Sequence, residues 1–162
     1  MRESISPLRA MIGGRFVVVE ASEAGRLEVL IAPEDQGWIE DELEANGAVR
    51  SGTLLDGASF QLADGSTLDV IARDEPWLAQ ALDCPQAAPN GLPVIGLPYL
   101  VLYRLETARS ADSRELERLL AGASEAQLGR VRDAVDAFMP DLRDDLESLI
   151  ALGRLARQAS AR

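Results

Sequence analysis

Between residues 84 and 98 the sequence reads CPQAAPNGLPVIGLP, with four prolines and two glycines. Proline has no backbone N–H and a fixed φ, so neither a helix interior nor a central strand runs through such a stretch. The chain must therefore be built as two halves joined by an extended connector, with room for a short edge strand at Pro93–Ile95.

The first half alternates strand-like and helix-like pieces. Phe16-Val17-Val18-Val19-Glu20 is a β-branched run and predicts a strand. Arg26–Ile31 begins with polar and apolar residues in alternation and predicts a second strand, with Ala21–Gly25 short enough for a hairpin. Pro33-Glu34-Asp35 opens a helix running to about Asn46, with Asp35 as N-cap, Gly47 as the stop, and Trp38, Ile39 and Leu43 as the apolar face. Ser59–Leu62 and Thr67–Arg73 predict a hairpin turning at Asp64-Gly65. Asp74-Glu75-Pro76 predicts the start of a short helix ending near Asp83.

The second half carries helical periodicity. Tyr99–Ala108 is mostly apolar, and Asp112–Ala121 places Leu116, Leu119 and Leu120 together. Glu125–Met139 spaces Leu128, Val131, Val135 and Phe138 along one face, and Pro140 ends it. Asp141–Gln158 has its acids early and Arg154 and Arg157 late, as the helix dipole favours. The expected fold class is α+β: a small mixed β-sheet flanked by helices, then a helical C-terminal half. The expected division is an α/β core with its connector at 1–98 and a helical region at 99–162 packing on it.

Composition limits the chemistry. The 162 residues include no His, and all 16 basic residues are Arg. This chain therefore supplies no His base or His metal ligand, no Schiff-base lysine and no Walker-type phosphate loop. One Cys, Cys84, allows no intrachain disulfide and no cysteine zinc site, and without a neighbouring base it reads as inert. With 27 acids against those 16 bases, the net charge is -11. The field repels polyanions, so nucleic acid and anionic membranes are disfavoured partners. No apolar run is long enough to span a membrane, the opening MRESISPLRAMIGG has no apolar core for a signal peptide, and the expected compartment is the cytoplasm.

Several segments in order resemble the nucleotidyltransferase superfamily, in the form of small bacterial minimal and abortive-infection-type proteins. GGRFVVVEA resembles the family's first strand, RLEVLIAPED its carboxylate strand and WIEDELEANGAV the following helix. GSTLDVIAR resembles the strand bearing a third Asp, and GLPVIGLPYLVLYRLETARSADSREL the connector and next helices. The match covers roughly residues 8–120. It implies a nucleotidyltransferase-like fold, and through the family a toxin–antitoxin or phage-defence setting.

The family's chemistry needs an Asp-x-Asp pair on one strand face, because side chains alternate with period 2, to hold Mg²⁺ against a triphosphate. This sequence departs from that pattern. Glu20-Ala21 stands where Gly-Gly or Gly-Ser belongs, Arg26 stands at the first Asp and Glu28 at the second, and Asp69 alone keeps its type. An alternative alignment on Gly13-Gly14 restores the glycines and not the Asp pair. A cation at Arg26 repels a divalent ion and can neutralise Glu28.

The implied reading is a degenerate member, a binding or interaction module with no transferase activity and no cofactor, whose partner is a protein or a nucleotide. A second reading is an active Mg²⁺-dependent enzyme with Glu28 and Asp69 as metal and catalytic residues and Arg104 or Arg109 on phosphate. A third is a self-associating structural protein, a homodimer through an open sheet edge. The plain alternatives are that Glu28 and Asp69 lie on solvent faces of their strands, or that Glu28 pairs with Arg26 or another Arg. Arg104, Arg109 and Arg114 would then make ion pairs with Glu106, Asp112 or Glu115. Trp38 and Trp77 read as core residues.

Overall fold

The computed structural model describes residues 15–107 and 112–161. The chain divides into two compact units, Met1–Gly96 and Leu97–Arg162.

In the first unit, β1 (Phe16–Ala21), β2 (Arg26–Ile31), β3 (Val49–Leu54), β4 (Gly57–Gln61), β5 (Thr67–Ala72), β6 (Gln86–Ala87) and β7 (Pro93–Val94) form one mixed sheet. Its strand order is β3-β4-β5-β2-β1-β7-β6. β1 and β2 make the expected antiparallel hairpin, while β2 and β5 run parallel with Glu28 opposite Asp69. β4 lies antiparallel to β5 on its other side, with Ser59 opposite Asp69. The α+β reading, a mixed sheet followed by a helical half, is the architecture found.

One face of the sheet carries Phe16, Val18, Val29, Ile31, Ala58, Phe60, Leu68 and Val70, the even-spaced set that period 2 dictates. Helix α1 (Gln36–Ala45) lays Ile39 and Leu43 into this layer, both fully buried. Trp38, assigned to the same apolar face, is instead 48% exposed. Successive helical residues are about 100° apart, so Trp38 and Ile39 cannot both point at the sheet. Asp35 makes no side-chain cap, because Pro33–Asp35 forms a 3-10 turn and puts Asp35 in helical φ/ψ. The turn between β4 and β5 is as expected: Gly65 adopts φ +85, and the Asp64 carboxylate accepts the Ser66 N–H at 3.0 Å.

Three features differ from expectation. Helix α2 spans only Leu78–Asp83, and Asp74-Glu75-Pro76 precede it without helical structure. Trp77, its N-cap, is buried as read, and Leu78 beside it is buried too. Strand β3 has no counterpart in the sequence reading, since it is an edge strand whose residues are exposed or half-buried and carry no clean alternation. Pro93–Val94 is not an edge: it pairs parallel with β1 and antiparallel with β6.

The second unit consists of α3 (Leu97–Thr107), α4 (Asp112–Gly122), α5 (Glu125–Phe138) and α6 (Arg143–Ser160), the last preceded by a 3-10 turn at Pro140–Leu142. α3 packs on α5 and α4 on α6. Buried Val101, Leu102, Leu116, Leu120, Leu128, Val131, Val135, Leu146 and Ile150 fill the centre. A capping box starts α5: Ser124 Oγ accepts the Gln127 N–H and Gln127 Oε1 accepts the Ser124 N–H. Among the described residues, no helix is long and apolar enough to cross a membrane.

An ion-pair network ties α5 to α6. Arg132 donates to both Glu147 oxygens at 2.6 and 3.0 Å, and Arg143 bridges Glu147 and Asp136. Hydrogen bonding from Arg132, followed by the charges of Arg132 and Arg143, holds the Glu147 carboxyl below the usual carboxylate range. A carboxyl depressed in the folded state stabilises fully above its unfolded pKa and loses that contribution as pH falls through its folded pKa. Glu147→Gln should therefore cost roughly 0.5–1 kcal/mol at neutral pH, the scale of a solvent-screened network. In urea denaturation the gap to the unmodified protein should close as the pH drops through and below the carboxylate range. A gap independent of pH would contradict this account.

Candidate functional site

The charged residue buried among the described side chains is Asp69, at 1% exposure. Ionised carboxylates are almost never buried unless paired. Strand register supplies the pairing. Ser59 lies directly across β4 from Asp69, and its hydroxyl donates to Asp69 Oδ1 at 2.5 Å. Arg26 lies opposite Thr67, two residues from Asp69 along β5. That diagonal is within reach of a long side chain. Its Nε and Nη2 both donate to Asp69 Oδ2, at 2.8 and 2.5 Å. Each carboxylate oxygen thus has a strong donor.

The Arg26 guanidinium is raised above its already high ordinary value, chiefly by the hydrogen bond to Asp69 and then by the Asp69 charge, with Glu28 and Glu20 adding weaker attraction. Most of its side chain reaches solvent, 64% exposed, while its acidic partner does not.

The structure brings Glu28 and Asp69 together as register partners, and directly opposed residues of adjacent parallel strands share one face. It does not leave Asp69 on a solvent face, and it gives Arg26 to Asp69, where the sequence suggested Glu28. Glu28 is half-buried and has an interaction of its own. Magnesium requires several oxygen ligands in near-octahedral array. Among the described residues no group of three or more acidic or cysteine side chains is placed to hold a metal ion. Two carboxylates, one of them bound by a guanidinium, do not fit a two-Mg²⁺ centre.

Of the proposed phosphate ligands, Arg104 is half-buried on α3 and already has an interaction partner. Arg109 lies outside the described residues. Arg114 is exposed on α4 and forms no ion pair with Glu115. Sequence reasoning missed Ser59, because its role depends on β4 lying beside β5 in one register. The hairpin signal at Asp64-Gly65 implied that pairing, and counting back from the turn would have set Ser59 opposite Asp69.

No protein-family model matches the chain, and no curated protein matches its sequence. Among solved structures it is similar to the solution structure of the antibiotic-resistance factor ANT(2'')-Ia, with TM-score 0.47 and 14% identity over 97% of this chain and 90% of that one. It is also similar to a crystal structure of ANT(2")-Ia in complex with adenylyl-2"-tobramycin, with TM-score 0.45 and 14% identity over 94% of each chain.

The Arg26–Asp69 pair should matter for stability. Arg26→Ala leaves a buried carboxylate with Ser59 as its remaining donor. The loss should be about 1–3 kcal/mol, below the roughly 3–5 kcal/mol of a fully buried pair, because solvent reaches the guanidinium. Chemical denaturation of the variant at neutral pH checks this, and an unchanged midpoint would contradict the assigned role of Arg26.

Proposed function

We propose that the chain is a nucleotidyltransferase-like protein without transferase activity, acting as a binding or interaction module for a nucleotide or a protein partner. The observation that carries the reading is the bond of Arg26 to Asp69. By the sequence resemblance, Arg26 stands where the family holds its first metal-ligating Asp, and Asp69 stands where it holds the third. The guanidinium contributes a fixed positive charge to the carboxylate that a metal would otherwise neutralise. A divalent ion reaching Asp69 must displace two charge-assisted hydrogen bonds and lie beside a cation. Without the metal, neither a triphosphate nor an attacking hydroxyl is neutralised or aligned for transfer.

The active-enzyme reading keeps one favourable observation: Glu28 and Asp69 are register partners on one sheet face. It requires Arg26 to swing away into solvent. The two readings differ in metal dependence. Calorimetric titration of ATP, CTP, GTP and UTP, with Mg²⁺ and with chelator, should show no Mg²⁺-dependent binding of any of the four. Mg²⁺-dependent binding lost in the Glu28→Gln, Asp69→Asn double variant, or nucleotide incorporation abolished by Asp69→Asn, would overturn the inactive reading.

A further inference from the structure

In a chain with 27 acids and 16 arginines, an arginine without an acidic partner is kept so by its position. Arg15, Arg26, Arg50, Arg73, Arg132, Arg143 and Arg154 each form an ion pair. Among the described residues Arg114, Arg118, Arg130 and Arg157 form none; Arg130 is exposed on α5, and the other three line one groove of about 620 Å³ between α4 and α6.

Packing explains the groove. Gly153 on α6 faces α4 so closely that a Cβ there would lie 2.3 Å from the Glu117 carbonyl oxygen and 3.2 Å from the Ala121 Cβ. The floor is therefore made of short side chains, Ala121, Gly153 and Ala156, with long ones standing at its sides. Arg114 and Arg118 are four residues apart and share one face of α4. Arg157 reaches across from α6, oriented by donating from Nη1 to the Ala121 carbonyl oxygen at 2.7 Å. A guanidinium has five N–H donors, so most of that set stays available. Glu117 is the one carboxylate of the lining and leaves an excess of two positive charges.

We infer that this groove binds a small organic phosphate. Its phosphoryl group lies between the Arg114–Arg118 pair and Arg157, and its organic part rests on the Gly153–Ala156 floor. Guanidinium forks match phosphate oxygens two at a time. An excess of two positive charges suits a phosphoryl dianion. The groove volume falls within the roughly 300–1,000 Å³ of small-molecule sites. The net charge of -11 turns away long polyanions.

The test is a ¹⁵N–¹H NMR titration of the whole chain with pyrophosphate and with ATP, in chelator. Saturable shifts should appear on α4 and α6 and weaken as salt is added. Affinity should fall at least tenfold in Arg114→Gln, Arg118→Gln, rise in Glu117→Gln, and stay unchanged in Asp69→Asn. The Glu117 variant expects a gain, so misfolding cannot imitate it, and chelator keeps the test independent of the Arg26–Asp69 reading. ATP binding tighter than pyrophosphate supports contact with the floor, and equal affinity overturns that contact. Absence of saturable shifts at millimolar ligand, or shifts insensitive to the arginine variants, overturns the site. Binding to phosphatidylglycerol vesicles in place of ATP would overturn the small-molecule assignment.

Discussion

A carboxylate buried in a β-sheet has to be answered within the sheet, and Asp69 is answered by Arg26 from β2 and Ser59 from β4. These strands flank β5 on its two sides, so the charge sits where three strands must hold register together. A one-residue slip of either neighbour would turn Arg26 or Ser59 to the opposite face and strand the carboxylate. The same slip would expose Val29 or Phe60, which point into the apolar layer beneath α1. Polar pairing on one face and hydrophobic burial on the other therefore specify the same register.

That arrangement bears directly on chemistry. A metal centre needs carboxylates whose charge is open to an ion, and here the buried one is closed by a guanidinium that donates twice to it. Glu28 lies beside Asp69, on the neighbouring strand. The residue that decides their use is Arg26. The bond that makes Asp69 tolerable inside the sheet is the same bond that, in the proposed function, withholds it from a metal.

Much of the fold was legible in the sequence because its signals are local. The Val run of β1, the Asp64-Gly65 turn, the 3- and 4-residue spacing of Leu128, Val131 and Val135, and the stop at Pro140 each depend on neighbours along the chain. What escaped depends on partners distant in sequence. Edge strand β3 has no buried face to impose alternation on Val49–Leu54. Trp38 is apolar, yet it lies one residue from the position that reaches the sheet. Glu28 and Asp69 were nominated through the family resemblance, and they are adjacent in the sheet. The partner of Arg26 was not legible, because a cation can bond any acid on its face until the register of β2 and β5 is known. Arg118 and Arg157 gave no motif at all; their groove exists because Gly153 lets two helices close together.

The Asp69 carboxylate is already occupied by protein donors. Mn²⁺ titration followed by paramagnetic broadening of backbone amide signals tests it most directly, since a bound ion marks its own surroundings. No selective broadening is expected at residues 26–29 and 67–70 in the unmodified chain. Saturable broadening centred on Glu28 and Asp69 at submillimolar Mn²⁺, absent in Asp69→Asn, would contradict it.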